Sequence, residues 1–579
     1  MPAAVLKVDA LQPISGESAV LFPYAFAAQA LVAFILSGVT FILLRSARYL
    51  AVDGAIRALG VYYNPHPFIH GNNHLLYPIN VLLWMRFLGL LGISPANAFQ
   101  FMALAQAMNA LAAAACLTIF YLICCGVTSD IILSAFLTIA YGFSAGFLLH
   151  ATNSAEPMVG LLWSFAAAGT ACISLQLNRK MLAFSAGFLL LLGMATYQSM
   201  VLIGPAIFLL LLLWPQHHNE DEKKIRWPYA ILFVSGCGAW LFSIYPLICH
   251  RFGTARTMRE ILLGLMELTG GKVYGGLTAA KVANLPIGLV QNILPVLPYG
   301  YCGLHSLLFP ANLTSLPITL LGLLIVLGWF LAVASLTLNR WETLDHHKRV
   351  TLFCCGVALA GSVFPLVYWS PLYDKFWLQP LAAIFLACGA LLANPGRDET
   401  TRRLRASGFV LVALIAGVNM TKALHSSLNP TPFLAEAQKV AQVVQPGDLV
   451  VAEWDDISVL YGSFFSRGVE TFYVPTEATT YGTQTTARLD RAIRKTIQAG
   501  RRVYFLGVLD ISEIVWKEFL GDKCGLPYHS FDLYRRCSVL LNILRETSAV
   551  SLRRLRDSNE CKVQSDRFVH NRTLAAFDE

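Results

Sequence analysis

Residues 53–80 read DGAIRALGVYYNPHPFIHGNNHLLYPIN, in which an acidic residue precedes a run rich in histidine and asparagine. The chain around this stretch is strongly apolar: of 579 residues, 56% are hydrophobic and only 13% are charged. Soluble globular proteins carry about 25% charged residues, so this composition indicates a polytopic membrane protein. A polar stretch beside membrane-spanning segments is tolerated where it lines an aqueous site. Asp53 and the loop that follows it are therefore the first candidates for chemistry.

Apolar segments of about 20 residues, the length needed to cross a bilayer, recur along the chain. Eleven segments qualify as predicted transmembrane helices: 25–45, 99–125, 130–149, 157–176, 180–196, 198–214, 228–248, 314–337, 349–369, 376–394 and 406–421. Two further apolar stretches, 76–93 and 285–308, are predicted to be interfacial or re-entrant helices. The first contains Arg86, and the second is broken by Pro295 and Pro298.

The basic residues predict the topology. With eleven spans, the short basic runs near residues 178–180, 223–226, 340–349 and 397–405 fall on the same side as the N-terminal segment 1–24. The positive-inside rule assigns that side to the cytoplasm. The outer side then receives the 46–98 loop, the basic 249–313 loop and the whole chain after residue 421. Long loops follow the rule poorly, and basic residues placed outside would suit an anionic ligand.

The composition changes where the predicted membrane domain, 25–421, ends. Residues 446–453 and 501–507 are typical of buried strands, and residues 431–444 and 485–499 are typical of amphipathic helices. Their alternation predicts a small extracytoplasmic α/β domain over 422–545, followed by a charged, flexible tail over 546–579. Cys524 and Cys537 would lie outside the membrane, where a disulfide between them is one reading. The expected fold is thus an all-α membrane domain with a small C-terminal α/β domain.

The polar residues with chemical potential all fall on the predicted outer side. They are Arg48, Asp53 and Arg57 in the first loop, Glu156 in the turn HATNSAEP (150–157), and Asp374 and Lys375 in the turn SPLYDKFWLQP (370–380). A carboxyl group desolvated near the bilayer has a raised pKa, which suits it to accept a proton. Arginine and lysine hold phosphate through charge-assisted hydrogen bonds. The set indicates a site for an anionic, lipid-borne substrate.

Several of these residues also have a purely structural interpretation. Asp53 and Arg57 are spaced to pair along a helix. Glu156 precedes Pro157, so it would also suit the start of a helix. Lys375 would also suit an interfacial anchor.

The histidines and arginines of the loops leave alternatives open. His66, His70 and His74 recur every four residues, a spacing that would offer a metal-binding face on a helix. Pro65 and Pro67 disfavour a helix there, which leaves hydrogen bonding to a sugar or phosphate, or plain loop structure. Arg251, Arg256 and Arg259 in the second outer loop would anchor lipid headgroups or bind substrate. The sequence contains no Cys-x-x-Cys pair.

Three short motifs resemble the GT-C class of integral membrane glycosyltransferases, which take a sugar from a polyprenyl-phosphate carrier. Protein mannosyltransferases and the aminoarabinose transferase of lipid A belong to this class. The motifs are Asp53 with NPHPFIHGNNHLLYP (64–78), SAEP (154–157) and YDKFWLQP (373–380). The likeness extends over roughly residues 25–421, mostly as layout. Two positions depart from it: Gly54 stands where many members carry a second acidic residue, and Lys375 stands where arginine is frequent.

The resemblance implies a multi-pass protein, most naturally of a bacterial inner membrane. It would move a sugar from a polyprenyl-phosphate donor to an extracytoplasmic glycan, lipid or protein. Asp53 would be the general base and Glu156 a second catalytic acid. The expected substrate-binding residues are Arg48, Arg57, His66, His74, Tyr77, Arg251, Arg256, Asp374 and Lys375. No cofactor is demanded, a divalent metal is compatible with the site, and nucleic acid is not an expected partner.

Two other classes of protein compete with this reading. A transporter or lipid flippase would carry charged residues within its spans and two matching halves, and the chain shows neither. A non-catalytic membrane scaffold, whose outer domain recruits partners, would not need Asp53.

Overall fold

The computed structural model describes residues 18–46, 52–63, 76–214, 226–252, 257, 277–295, 316–368, 371–393, 398–429, 432–452, 461–462, 464–466, 468–473, 485–506, 551–555 and 574–578. Some residues singled out from the sequence lie outside this part of the chain: Arg48, His66, His70, His74, Arg256, Arg259, Cys524 and Cys537. Asp53 and Arg251 lie in helices, but their side chains also fall outside the description.

Helices form the membrane part of the chain. In chain order they are α1 (Ser18–Leu43), α2 (Val52–Tyr63), α3 (Leu76–Leu90), α4 (Ala98–Thr128), α5 (Ile131–Gly142), α6 (Ala145–Thr152), α7 (Glu156–Gln176), α8 (Lys180–Thr196), α9 (Gly204–Leu213), α10 (Trp227–Ala239), α11 (Tyr245–Phe252), α12 (Ala279–Ala283), α13 (Leu285–Ile293), α14 (Leu316–Arg340), α15 (His346–Tyr368), α16 (Leu378–Leu392) and α17 (Glu399–Leu428). Short 3₁₀ turns cover Gln198–Ile203, Trp341–Thr343 and Asp374–Phe376, and a π-helical turn covers Trp240–Ile244.

Polar side chains mark the starts of three of the long apolar helices. The side chain of Asn97 accepts a hydrogen bond from the backbone N–H of Gln100 at the start of α4. Asp130 and Asp398 do the same for α5 and α17. Each cap satisfies a backbone donor that the first helical turn leaves unpaired. These caps set where the three helices begin.

Each of the eleven predicted apolar segments contains a helix of the described chain. Five of these helices are long and apolar enough to cross a membrane: Ala98–Thr128, Glu156–Gln176, Trp227–Ile248, His346–Tyr368 and Glu399–Leu428. Shorter apolar helices of 10–17 residues occupy most of the other predicted segments. The chain is a multi-pass membrane protein, and the total of eleven spans stays a prediction.

The segment 130–149, expected to be one continuous span, is instead two helices. The helices α5 and α6 meet at an angle of 68° across Phe143 and Ser144. The side-chain amide of Asn419 in α17 donates to the carbonyl oxygen of Phe143 at 2.7 Å and to that of Ile293 at 2.7 Å. Apolar surroundings tolerate a helix break only where such partners satisfy the freed backbone groups. The segment carries no proline at this bend, and its local signals there are Gly142 and Ser144 within an apolar run.

One end of the helix bundle, here called the opposite end, collects the connections that the sequence predicts to be cytoplasmic. Tyr229 donates a hydrogen bond to Asn178, and the Trp214 and His347 rings lie 4.9 Å apart. Arg405 lies 2.6 Å from Asp130. The first two contacts join the connections after α7, α9 and α14, and the third joins the connection after α4 to the start of α17. The described parts of the first three basic runs therefore lie near one another, and the orientation of the bundle in the membrane stays a prediction.

Strands and two further helices follow α17. The helices are α18 (Pro432–Val443) and α19 (Thr485–Gln498), and the strands are β1 (Leu449–Ala452), β2 (Glu470–Tyr473), β3 (Val503–Leu506), β4 (Ser551–Leu555) and β5 (Leu574–Asp578). They form one sheet in the order β2-β1-β3-β5-β4, in which β1 pairs in parallel with β2 and β3. The strand β5 lies antiparallel to β3 and β4, so two strands come from the segment expected to be loose.

The C-terminal region contacts the membrane part beside the first loop. The Tyr63 hydroxyl at the end of α2 donates to the carbonyl oxygen of Phe464 at 3.1 Å. The Phe99 ring at the start of α4 stacks on Phe464, with the ring centroids 4.7 Å apart. The sheet region is therefore attached next to the helix that carries Asp53.

Candidate functional site

Four connections meet at the end of the bundle remote from Asp130 and Arg405, here called the site end. They are the helix α2, the turn at 153–155 between α6 and α7, Tyr197 after α8, and the turn at 371–377 between α15 and α16. Three of the sequence motifs thus come to one end of the molecule. The contacts among them define the candidate site.

Gly54 brings the first two motifs together. A Cβ atom at position 54 would lie 2.1 Å from the carbonyl oxygen of Ser154 and 2.7 Å from the Cα atom of Ala155. The start of α2 therefore packs backbone against backbone on the turn before α7. Asp53 and Glu156 each lie next in sequence to this contact. Any side chain at position 54 would collide with the turn, which is why a second acidic residue does not follow Asp53 here.

Glu156 forms a buried ion pair with the same helix. Its Oε1 atom lies 2.8 Å from Nε of Arg57, and only 5% of the Glu156 side chain is exposed. Glu156 is the first residue of α7, whose N-cap residue, Ala155, provides no side-chain cap. Its negative charge complements both the guanidinium and the helix dipole. The ion pair fixes α2 to α7 one helical turn beyond Asp53.

Two uncharged side chains hold the turn between α6 and α7. The hydroxyl groups of Tyr77 and Ser154 lie 2.7 Å apart, and Tyr77 is fully buried. The side-chain amide of Asn109 in α4 donates to the carbonyl oxygen of Ala155 at 2.7 Å. Tyr77, which the resemblance proposes as a substrate ligand, thus supports the turn in this structure. These bonds give the acidic residues a rigid base.

Asp374 is held by two donors. Its Oδ1 atom lies 3.2 Å from Nε2 of His150 in α6 and accepts a hydrogen bond of 2.7 Å from the backbone N–H of Lys375. Burial alone would raise the pKa of Asp374. The charge and hydrogen bond of His150, the Lys375 N–H and the Lys375 ammonium outweigh burial, so the pKa lies below its usual value of 3.8. Asp374 is therefore a fixed anion at neutral pH.

The ammonium of Lys375 lies among three aromatic rings. Its Nζ atom is 5.3 Å from the ring centroid of Tyr373, 5.7 Å from that of Phe376 and 6.0 Å from that of Tyr197. Ring faces attract a cation without neutralising it. Tyr197 comes from a different connection, so the lysine also links the turn at 371–377 to the end of α8. The ammonium also interacts electrostatically with the carboxylate of Asp374.

Lys281 brings a second cation from the predicted basic loop. Its Nζ atom donates to the carbonyl oxygen of Tyr368, the last residue of α15, at 2.9 Å. Lys281 is only 3% exposed, and burial lowers its pKa to about 8. Gly288 of α13 packs against the same turn, because a Cβ atom there would lie 1.9 Å from the carbonyl oxygen of Pro371. The described part of the basic loop therefore lies at the site end.

Six of the predicted site residues are placed at the site end, five by their side chains and one by its backbone alone. Arg57, Glu156, Tyr77, Asp374 and Lys375 all lie at the site end with described side chains. Asp53 is placed there by its backbone. Within the described part of the chain, no three His, Cys, Asp or Glu side chains form a group able to hold a metal ion.

Sequence reasoning missed His150. It stands in the turn HATNSAEP (150–157), in which Glu156 is the candidate identified from the sequence. A histidine at the end of an apolar helix was the available signal, but its partner, Asp374, is 224 residues away in the chain. Asn109 was missed because it lies within an apolar span and its partner, Ala155, is also distant in the chain.

Comparison with known structures identifies a similar fold. The crystal structure of ArnT from Cupriavidus metallidurans bound to undecaprenyl phosphate matches with a TM-score of 0.50 and 11% identity, over 96% of this chain and 98% of that one. The apo structure of the same protein matches with the same score and identity, over 97% and 98%. No protein-family model matches the chain, and a search of curated proteins gives no match. The resemblance to the GT-C class expected from the sequence is confirmed at the level of the fold.

Proposed function

We propose that this protein is a membrane glycosyltransferase that moves a sugar from a polyprenyl-phosphate donor to an extracytoplasmic glycan, lipid or protein. One observation carries the proposal: the motifs of Asp53, Glu156 and Lys375 converge at one end of a bundle whose fold resembles ArnT, a protein crystallised with undecaprenyl phosphate. The site end would face outward. The sheet region after α17 would lie on the same side, as an α/β domain.

The reaction is a single displacement at the anomeric carbon of the sugar. Asp53 takes the proton of the acceptor hydroxyl while the acceptor oxygen forms its bond to that carbon. The bond from the carbon to the lipid phosphate oxygen breaks, and the phosphate leaves with the electron pair. The configuration at the carbon inverts, because no second carboxylate is assigned as a nucleophile. A general base in this role contributes about 10²–10⁴-fold to the rate.

The leaving phosphate is stable as an anion, so it needs cations more than an acid. Lys375 supplies one charge from among its three rings, and Lys281 supplies another from beside the end of α15. Glu156 has its charge matched by Arg57, so it holds α2 against α7 and orients the residues around Asp53. In this scheme Asp53 accepts the proton, and Lys375 and Lys281 stabilise the leaving phosphate.

The test is transfer of labelled sugar from polyprenyl phosphate in proteoliposomes. Asp53→Asn keeps the size of the side chain and removes the base, so transfer should fall by about 10²–10⁴-fold. Asp345→Asn is the matched control, since Asp345 lies at the opposite end with its side chain 55% exposed. Its transfer rate and the yield of both proteins should match the wild type. Undiminished transfer by Asp53→Asn would remove the base assignment, and no transfer by the wild type from any such donor would remove the function.

A further inference from the structure

His150 is a buried polar group without a role in the proposed reaction. It lies in the last turn of α6, and only 6% of its side chain is exposed. Burying an imidazole is costly unless its nitrogens find partners. Nε2 has Asp374 as a partner at 3.2 Å. Nδ1 is buried without a hydrogen-bond partner among the described residues, so the imidazole has an energetic cost here. Its described hydrogen-bond partner, Asp374, lies in the turn that carries Lys375.

One carboxylate oxygen joins His150 to that turn. Oδ1 of Asp374 accepts the hydrogen bond from the Lys375 backbone N–H and also lies 3.2 Å from Nε2 of His150. The backbone conformation at Lys375, and with it the direction of the Lys375 side chain, therefore depends on the position in which His150 holds this oxygen. An ionised carboxylate with two donors on one oxygen has little freedom to rotate.

The surrounding backbone keeps His150 at this distance. Gly146, one helical turn earlier in α6, would place a Cβ atom 3.6 Å from Cβ of Asp374 and 2.6 Å from Oδ1 of Asn292. The helix α6 thus packs directly on the 374–376 turn and on α13. The bend of 68° at Phe143 directs α6 to this position. A helix, and not a loop, sets the place of the imidazole.

We propose that His150 is a positioning residue for Lys375, acting through Asp374, and that it orients the Lys375 ammonium toward the phosphate of the lipid substrate. This inference rests on the proposed function for the identity of the ligand. His150 touches no substrate in this arrangement. Its donor holds Asp374, Asp374 holds the Lys375 backbone, and the rings of Tyr197, Tyr373 and Phe376 hold the side chain.

The role of His150 is tested by measuring the binding of undecaprenyl phosphate to the purified full-length protein in detergent. His150→Leu removes the donor, and we expect the dissociation constant to rise roughly tenfold, as the loss of one hydrogen bond to a charged group implies. His150→Gln keeps an N–H donor of similar reach and cannot titrate, so it should bind within about twofold of the wild type. His347→Gln, at the opposite end beside Trp214, is the matched control and should bind like the wild type.

A double-mutant cycle separates positioning from general packing. If His150 acts through Lys375, His150→Leu should weaken binding no further in a chain that already carries Lys375→Ala. His150→Asn, whose shorter amide does not reach Asp374, provides the same comparison should His150→Leu unfold. Independent, multiplying losses in the double variant would overturn the proposal, as would unchanged binding by both His150→Leu and His150→Asn.

The cycle also distinguishes this inference from the proposed function. If Lys375→Ala weakens binding but His150→Leu does not, Lys375 remains a phosphate ligand and His150 loses its role. If the wild type binds no undecaprenyl phosphate, both the proposed function and the positioning role fail.

Discussion

The two ends of the helix bundle hold their charged residues in different surroundings. At the site end, the side chains of Glu156 and Asp374 are 5% and 16% exposed and lie against Arg57 and His150. At the opposite end, the side chains of Glu399 and Arg403 are 63% and 80% exposed. The pair Asp130 and Arg405 is intermediate, with 20% and 18% exposed. The two carboxylates at the site end are thus both desolvated, whereas charged residues at the opposite end range from the exposed pair Glu399 and Arg403 to the buried Arg226.

The difference in exposure determines the desolvation free energy that each charged side chain costs. A hydrated ion pair adds about 0–1 kcal/mol and costs little to keep, so its presence says little about function. A desolvated carboxylate costs several kcal/mol before its partner compensates. The site end keeps two such carboxylates and a buried lysine in adjoining connections. Desolvated charges of this kind are concentrated at functional sites, which supports this end as the candidate for chemistry.

The largest expected effect is all-or-none and concerns which end faces outward. A cysteine placed at Asp398, at the opposite end, should stay protected from an impermeant thiol reagent in intact cells, in a background cleared of reactive native cysteines. A cysteine placed at Asp456, in the C-terminal region, should be labelled. Labelling of the first position alone would invert the topology and remove the outward-facing site.

Removal of Arg57 should produce the largest loss of stability. Arg57→Ala leaves the buried Glu156 carboxylate without its guanidinium, and breaking a buried pair in this way costs about 3 kcal/mol or more. Thermal unfolding in detergent measures the loss, and the double variant Arg57→Ala with Glu156→Gln should recover part of it. No recovery in the double variant would mean that Arg57 stabilises the fold through other contacts.

The buried Lys281 should make stability depend on pH. Burial lowers its pKa to about 8, whereas the unfolded chain keeps the proton up to about 10.5. Between these values the unfolded state binds more protons, so the wild type should gain stability relative to Lys281→Met as the pH rises from 8 to 10.5. The gain has an upper bound of about 3 kcal/mol. Unfolding temperatures of both proteins at pH 7.5, 9 and 10.5 measure it, and parallel curves would contradict it.

The smallest expected effect lies at the opposite end. Glu399→Ala breaks an exposed pair with Arg403 at helical spacing, so it should change stability by only about 0.3–0.5 kcal/mol. It serves as the hydrated counterpart of Arg57→Ala in the same unfolding assay. A loss as large as that of Arg57→Ala would erase the contrast between the two ends.

The helices were largely predictable because each needs only its own apolar run. The bend at Phe143 was not, since it depends on Asn419, which is 276 residues away and satisfies the freed carbonyl. The positions of Glu156 and Lys375 in turns were predictable from motifs. Their partners were not: nothing in the sequence indicated that Arg57 and Glu156 pair, and the structure places Nε of Arg57 2.8 Å from Oε1 of Glu156. Long-range partners depend on packing, which a single sequence does not contain.

The contact at Gly54 makes the geometry of the site a matter of backbone shape. The distance between the start of α2, which carries Asp53, and the start of α7 is set by two main-chain segments in direct contact. A methyl group at position 54 would push them apart and leave every functional group intact. An inactive protein with a complete set of catalytic side chains is therefore the expected result of Gly54→Ala. The cause of the lost activity would be the added methyl group at position 54, and an inventory of the catalytic side chains would not reveal it.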